Sequence, residues 1–505
     1  MDKQEIFQKI YQVSEETSTD VYVVGGYVRD ELLGIEKKKD IDFVVGDNGL
    51  EFARHFSTHF SEEDGRLVEF LDFDTARFIF FAPEEDVVKT KIVIGGQGLE
   101  EVIVEGLEKI KKRVLFEIEF AGARSEIYDK ESRKPLVTAT SIENDLLRRD
   151  FTVNAMARKV SKDGKLEKII DPFGGQKDLV DKVLRTPLNP NETFSDDPLR
   201  MLRAVRFASQ LDFAIEENTL RAIHTNRKRL GIVSKERIQE ELMKLFATVK
   251  PSVGLVILYQ TKLIDEFIPE MTALAGVEEV KGYSHKDNLS HTFAVVDNIA
   301  ENSNKPLLRF SGLLHDIAKP DTKKFTADRG WTFDMHEHLG KKMTREICHR
   351  LKFSKKDTDY LTKLVRYHLQ PIALMDKGVT DSPVRRMVID VGEDLDDLLV
   401  LCRADITTGN QNKKARRLKN YDVLEKRIAE VIERDKLKSF QSPIRGEEIM
   451  EITGLKAGPT VGKIKKRIED AILDGAIAND RDEARVFFES IKDEYISKAG
   501  EWEKN

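Results

Sequence analysis

The chain has 505 residues, 40% of them hydrophobic and 34% charged, and a net charge of −7 from 83 basic and 90 acidic side chains. At roughly 100–200 residues per domain this predicts three or four domains, and it excludes both a single small module and wholesale disorder. With so small a net charge, any nucleic acid must be held by local basic patches and not by the field of the whole chain.

The first residues, MDKQEIFQKIYQ, carry acids and glutamines where a targeting segment would have a basic stretch leading into an apolar one, and no apolar run reaches the ~20 residues of a membrane span. A cytoplasmic protein with no membrane contact is expected. Cys348 and Cys402, the only cysteines, show no pairing pattern, so no disulfide framework or thiolate zinc site is expected and a reducing compartment fits.

Residues 21–45 read as strand, turn, helix, strand: VYVVGG is β-branched and ends in two glycines, YVRDELLG is helical up to Gly34, and IDFVV alternates before Gly46. Further strand-like runs at 77–81, 91–94, 102–104 and 114–120, with Gly95, Gly96 and Gly98 as punctuation, extend a mixed sheet to about residue 160. Beyond Asp171 helical periodicity takes over, clearest at 198–211 and 235–246. Residues 250–410 hold seven of the ten histidines, and 411–440 opens with Lys413, Lys414, Arg416, Arg417 and Lys419. The fold class is therefore α+β, a mixed-sheet head followed by mostly helical segments, with divisions at 1–160, 161–250, 251–420 and 421–505.

Gly25 and Gly26 lie where a strand ends and a helix begins, a place where missing side chains let phosphate oxygens reach backbone N–H groups. Asp40 and Asp42 flank Ile41 on the next strand, so alternation points both carboxylates to one face and sends Ile41 and Phe43 to the core. Paired carboxylates of this kind suit magnesium, which takes one or two protein oxygens plus water and phosphate. Such a pair alone is more often a solvated strand face; the glycines, Arg29 and Asp30 upstream favour the metal reading.

GGYVRDELLG and DIDFVV resemble the first motif of the class II tRNA nucleotidyltransferase and bacterial poly(A) polymerase family. RRDFTVNAMA (148–157), DPFGGQKDL (171–179), DDPLRMLRAVRFASQL (196–211) and SKERIQEELMKLF (234–246) follow in that family's order. The resemblance implies that Asp40 and Asp42 hold Mg2+, joined by a third carboxylate from FEIEFAGAR, Glu119 or its same-face neighbour Glu117, on a strand ending near Arg124. It implies that Gly25, Gly26, Arg29, Arg149, Asp150 and Asn154 bind the sugar and triphosphate of the incoming nucleotide. Asp150 could instead cap a helix beginning at Phe151, and Arg148 is evenly balanced between binding the nucleotide and a structural role.

Asp197 and Arg200, three apart on an expected helix, would by the same resemblance read the Watson–Crick edge of cytosine or adenine, with Arg203 and Arg206 extending the basic face. An i,i+3 salt bridge is the plain alternative. The family usually has Glu where this chain has Asp196.

SHTF, LLHDIAKP, DMHEHLG, RYHL and RADIT follow between 290 and 407. His291, His315, Asp316 and Asp405 resemble the ligands of HD-domain phosphohydrolases, with His338 and His368, or His336 in place of His338, for a second ion. Imidazole with carboxylate suits manganese, nickel, cobalt or iron. Lys319 either meets a substrate phosphate or, with Pro320, ends a helix. The segment 442–475, with Gly454, Gly458, Pro459 and Gly462 before Lys463, Lys465, Lys466 and Arg467, resembles the tail of nucleotidyltransferases that carry the histidine domain, and implies a surface for RNA phosphates.

The expected function is template-independent addition or repair of the 3′-terminal CCA of tRNA from CTP and ATP, with metal-dependent phosphohydrolysis at the HD site. Rivals are poly(A) polymerase, an enzyme adding only A or only CC, and a tRNA-binding scaffold whose one activity is HD hydrolysis.

Overall fold

In the computed structural model, residues 3–35, 40–71, 74–82, 114–127, 136–280, 283–284, 287–376, 378–435 and 442–502 are described. The strand-like runs at 91–94 and 102–104, Gly95, Gly96, Gly98 and the side chain of Arg124 lie outside the described residues. Two compact units divide the chain, Met1–Ile238 with Ile257–Glu266, and Gln239–Val256 with Phe267–Asn505.

The first unit opens with α1 (Lys3–Thr17), β1 (Val21–Val24), α2 (Gly26–Leu32), β2 (Asp40–Val45), α3 (Gly49–Ser57), β3 (Gly65–Phe70), β4 (Thr75–Phe81) and β5 (Val114–Gly122). A two-stranded ladder of β6 (Arg124–Ile127) and β7 (Leu136–Ala139), then α4 (Ile142–Leu147), β8 (Ala157–Val160), β9 (Leu166–Ile170) and α5 (Gly175–Asp181) follow. The seven-stranded sheet runs β3-β4-β5-β2-β1-β8-β9. Only β2 and β5 pair in parallel; every other neighbouring pair is antiparallel. The sheet thus reaches Ile170, past the expected limit near 160, because the lysine-rich ARKV and LEKII form an edge hairpin whose polar residues hide its period.

Alternation decides which face of the sheet does what. Ile41, Phe43, Ile118 and Phe120 are buried on one face beneath Phe52 and Phe56 of α3, with ring centroids 5.1–5.4 Å apart where Phe120 meets Phe43, Phe52 and Phe56. Truncating a ring buried this fully costs about 3–5 kcal/mol. On the opposite face Val24, Val44, Ala123, Leu146, Ala155 and Ala157 pack at one end, leaving the other end to Asp40, Asp42, Glu117 and Glu119.

The unit continues through β10 (Val183–Leu184), α6 (Pro190–Asp196), α7 (Leu199–Leu211), β11 (Ala214–Ile215), which pairs in parallel with β10, and α8 (Glu217–Asn226). Helices α9 (Lys235–Phe246) and α10 (Pro251–Gln260) each contribute to both units.

In the second unit the ladder β12 (Glu279–Val280) with β13 (Tyr283–Ser284) precedes α11 (Asn288–Asn302), α12 (Pro306–Leu314) and the short α13 (Lys319–Thr322). The hairpin β14 (Lys324–Thr326) and β15 (Gly330–Thr332) leads into α14 (His336–Arg350), α15 (Lys355–Tyr367), α16 (Gln370–Ala373), α17 (Asp381–Val391), α18 (Leu395–Ala404) and α19 (Gln411–Arg434). Leu308, Leu364, Met387, Leu398, Leu401 and Tyr421 belong to one core, and α20 (Gly446–Thr453), α21 (Pro459–Leu473) and α22 (Arg481–Ser497) enclose a separate one around Ile449, Ile464, Ile468 and Phe488. Among the described residues no helix is long and apolar enough to cross a membrane.

Candidate active sites

The parallel register of β2 and β5 sets Asp40 opposite Glu117 and Asp42 opposite Glu119. All four carboxylates lie on the face turned from the phenylalanine core, and Asp40 and Asp42 are exposed. Arg77, opposite Glu119 on β4, donates Nη1 to Glu117 Oε2 at 3.0 Å and Nη2 to Glu119 Oε2 at 2.8 Å. Four acids with Arg77 beside two of them are a donor set for hard divalent ions, held by a rigid sheet. Sequence reasoning missed Arg77, which carries no local signal: β4 and β5 bring it to residues 40 and 42 positions away.

Beside this face, Gly25 precedes α2 with φ 69°, and a side chain there would come within 3.0 Å of Arg149 Nη1. The glycine is required twice, by the left-handed backbone and by the guanidinium against it. Buried Asp145 receives Arg148 at 2.5 Å and Arg149 at 3.1 Å, fixing both arginines from α4. Asp145 was legible as an i,i+3 and i,i+4 partner of those arginines and was overlooked.

A second chain of bonds runs from Asp30 through Arg29, Asn154 and Asp150 to Arg203. Arg29 donates to Asp30 and to Asn154 Oδ1, each at 2.7 Å; Asn154 donates to Asp150 Oδ1 at 2.9 Å, and Arg203 Nη2 to Asp150 Oδ2 at 2.6 Å. Burial pushes the Asp150 carboxyl up, but Arg203 and Asn154 outweigh it and hold the pKa at about 2. Asp150 Oδ1 also accepts the Phe151 N–H, though only a single 3-10 turn, Thr152–Asn154, follows instead of a helix. Phe207 lies under the group, its ring 5.1 Å from the guanidinium of Arg29, 5.4 Å from Arg203 and 4.1 Å from Arg206.

Asp197 is not on a helical face with Arg200. It stands between α6 and α7 with φ −129°, and its Oδ1 accepts the Leu199 N–H at 3.2 Å, because Pro198 cannot continue α6 and the chain must restart a helix there. Arg200, Arg203 and Arg206 do share a face of α7, and Arg200 Nη2 donates to the Arg148 carbonyl at 2.7 Å. Asp171 Oδ1 and Oδ2 accept the Gly175 and Gln176 N–H groups at the start of α5, a structural task for the DPFGGQKDL stretch.

The second unit gathers its donors from α11, α12, α14, α15 and the end of α18. His291 Nε2 lies 3.0 Å from Asp405 Oδ1, and His315 Nε2 3.1 Å from Asp316 Oδ2; on the far side, Asp316 Oδ1 lies 3.3 Å from His336 Nε2 and 3.7 Å from His368 Nε2. Two metal-sized groups result, His291, His315 and Asp405, and Asp316, His336 and His368, with Asp316 facing both. His336 belongs to the cluster. His338, expected there, has a half-exposed side chain 3.7 Å from Glu337, since two residues of helix turn it away from its buried neighbour.

Each clustered histidine has its Nδ1 occupied: His291 by Thr407 Oγ1 at 2.8 Å, and His315, His336 and His368 by the Gly312, Phe333 and Val365 carbonyls at 2.7–2.8 Å. For the three that face carbonyls this directs Nε2, bare whenever the ring is neutral, into the cluster, the arrangement metal-binding histidines need. The enclosed Nε2 of His315 makes no aligned hydrogen bond, and such a buried acceptor fits a cation. Burial opposes a proton on His315, yet Asp316 and Asp405 push its pKa up to about 10, while burial and the charge on His315 push His368 down to about 4. Lys319 reaches Asp316 Oδ2 at 2.5 Å and starts α13, so Lys319-Pro320 begins a helix where an ending was one of the expectations.

In the tail, Gly454 closes α20 with φ 70°, and Lys463, Lys465, Lys466 and Arg467 are exposed on α21. Lys463 lies over Trp502 at 4.0 Å and Arg467 over Phe487 at 5.2 Å.

Residues 21–95 and 89–185 match the family described as the poly A polymerase head domain, 212–274 the probable RNA and SrmB-binding site of polymerase A, and 288–410 the HD domain. An A-adding tRNA nucleotidyltransferase of Deinococcus radiodurans is 31% identical over 70% of this chain and 80% of its own length. A CC-adding tRNA nucleotidyltransferase of Thermus thermophilus is 31% identical over 68% and 76%, and a multifunctional CCA protein of Vibrio vulnificus 30% identical over 76% and 84%. The crystal structure of a Bacillus stearothermophilus CCA-adding enzyme in complex with CTP matches with a TM-score of 0.62 at 20% identity, over 97% of this chain and 98% of that one, which shows the fold.

Head sheet and histidine cluster together define a nucleotidyltransferase that carries an HD domain, and both domain types depend on divalent metal. The chain belongs to the tRNA nucleotidyltransferase and poly(A) polymerase family.

Proposed function

We propose that the chain is a template-independent CTP(ATP):tRNA nucleotidyltransferase that adds or repairs the 3′-terminal CCA. The observation that carries this reading is the β2–β5 register, which aligns Asp40 and Asp42 with Glu117 and Glu119 next to the Arg149–Gly25 contact. The tRNA 3′-hydroxyl attacks the α-phosphorus of the bound nucleotide, and pyrophosphate leaves. Asp40 and Asp42, with Glu119 as the third carboxylate, would hold Mg2+, which when bound would neutralise charge at the reacting phosphate.

Arg149, kept in place by Asp145, pairs with the triphosphate beside Gly25 and Gly26. Asp150 and Asn154, ordered by Arg29 and Arg203, take the sugar. Asp197 and Arg200 read the base edge, Asp197 accepting from an exocyclic amine and Arg200 donating to ring acceptors. Arg206 extends this basic face, and the exposed α21 cations hold RNA phosphates.

The HD cluster is a phosphohydrolase site for a 2′,3′-cyclic phosphate or a simple phosphate ester. Manganese, nickel, cobalt or iron fits its imidazole and carboxylate donors, with one ion at His291, His315, Asp316 and Asp405 and a second at Asp316, His336 and His368.

The A-adding and CC-adding relatives favour a second reading, a partial adder. Purified protein given tRNA lacking its end, or ending in CC, with each NTP singly, and products resolved by length, decides between them. Two C and one A are expected. Extension by A alone or C alone gives the second reading, and long A tails give poly(A) polymerase. No addition by folded protein leaves the scaffold with HD activity.

A further inference from the structure

Outside both donor sets and all five family-like motifs, α1 and α3 of the head bring together Glu16, His55 and His59. His55 and His59 are four apart and therefore neighbours on one side of a helical turn. The α3 helix ends at Ser57, but the bonds from Thr58 to His55 and from His59 to Phe56 carry the winding on, so His59 stays beside His55. From the facing helix, Glu16 Oε2 lies 2.9 Å from His55 Nε2 and 3.5 Å from His59 Nε2. Gln12 donates to the other oxygen, Oε1, at 2.8 Å and so aims Oε2 at the histidines. His59 Nε2 is enclosed and has no aligned hydrogen-bond partner.

We propose that Glu16, His55 and His59 form a third metal site that takes a zinc-class transition cation and ties α1 to α3. Two donors on a Zn2+ ion with bonds of ~2.0–2.2 Å stand ~2.9–3.5 Å apart for angles from about 90° to tetrahedral, and the two measured separations fall in that span. Two imidazoles and one carboxylate are a zinc-type ligand set, also acceptable to nickel and copper, with a fourth position left for water. The donors come from two helices that touch each other but are separated along the chain by β1, α2 and β2, so a bound ion acts as a cross-link, stabilising the folded head in proportion to its occupancy. Without an ion the same three groups are a surface Glu–His–His cluster, and metal uptake separates the two descriptions.

The test uses the full-length chain, stripped by chelator and dialysed against Zn2+ in excess Mg2+, with the HD donors intact in every variant. Wild type is expected to bind one Zn2+ per chain more than His55→Ala, whose half-exposed side chain can be removed without opening the core. Glu16→Gln keeps the shape but not the charge and should weaken that equivalent by about 10-fold or more, and it decides the matter if His55→Ala does not fold. Zn2+ should raise the melting temperature of wild type more than that of either variant, while nucleotide addition is the same in all three. Equal Zn2+ uptake by wild type and both variants, or an extra equivalent that gives no melting difference, overturns the proposal.

Discussion

On the head sheet Asp40 and Asp42 stand exposed on a strand, whereas Asp316 in the HD domain is 2% exposed and ringed by four histidines and Lys319. The first set is made by one strand and its parallel neighbour, so backbone register alone aligns the acids and solvent screens their repulsion. The second is made by five helices, and its charges are tolerable only with a counter-ion: proton, lysine or metal. The comparison teaches that an open acidic site can wait for substrate and ion together, while a buried one needs its cation to be comfortable in the fold at all.

Asp42→Ala is the sharpest way to break this comparison. Removing an exposed ligand should cut nucleotide addition by about 10³-fold or more with tRNA binding within about twofold, as read by single-turnover incorporation and filter binding. Substantial addition by the folded variant would take the metal away from that face.

Asp316→Ala should abolish metal-dependent hydrolysis of a 2′,3′-cyclic phosphate and leave addition unchanged, because no ligand is shared with Asp40, Asp42 or Glu119. Loss of addition by normally folded Asp316→Ala would merge the two sites. Failure of the unmodified protein to hydrolyse with manganese, nickel, cobalt or magnesium would leave the cluster a structural one.

A smaller effect is expected from Asp197→Ala or Arg200→Ala. Incorporation of U or G relative to C and A should rise by about 10- to 100-fold, with triphosphate affinity little changed, since a lost hydrogen-bonding edge is specific to the base. Unchanged ratios for all four nucleotides would remove the base-reading role.

The smallest effect concerns Asp150, whose folded pKa of about 2 lies below the ordinary 3.8. A depressed carboxyl contributes stability above its unfolded pKa and loses it as pH falls through the folded one. The shift is worth on the order of 2 kcal/mol at pH 7. Asp150→Asn should therefore melt below wild type near neutrality, and the gap should close between about pH 4 and pH 2. A gap independent of pH would mean that Arg203 does not hold the charge.

Much of the head was readable because its chemistry is local. The strand-turn-helix-strand of 21–45, the Asp40–Asp42 alternation and the helices at 199–211 and 235–246 all follow from periods of two and 3.6 within a few residues. Asp197 defied the same logic because Pro198 interrupts the helix that the spacing implied. The edge strands β3 and β9, and β8 next to β9, escaped notice because polar, half-exposed residues mask their period.

By itself the sequence determined the donor types, their order along the chain and, through five ordered motifs, the family. Only the tertiary structure decided which donors meet. It chose His336 over His338, because one points into the helix bundle and the other does not, and it put Arg77 between Glu117 and Glu119, because β4 lies next to β5. It also joined Glu16 to His55 and His59, which lie 39 and 43 positions further along the chain. Period and propensity act over one or two turns, whereas a binding site is a fact of distance, and distances between remote residues exist only once the strands and helices have packed.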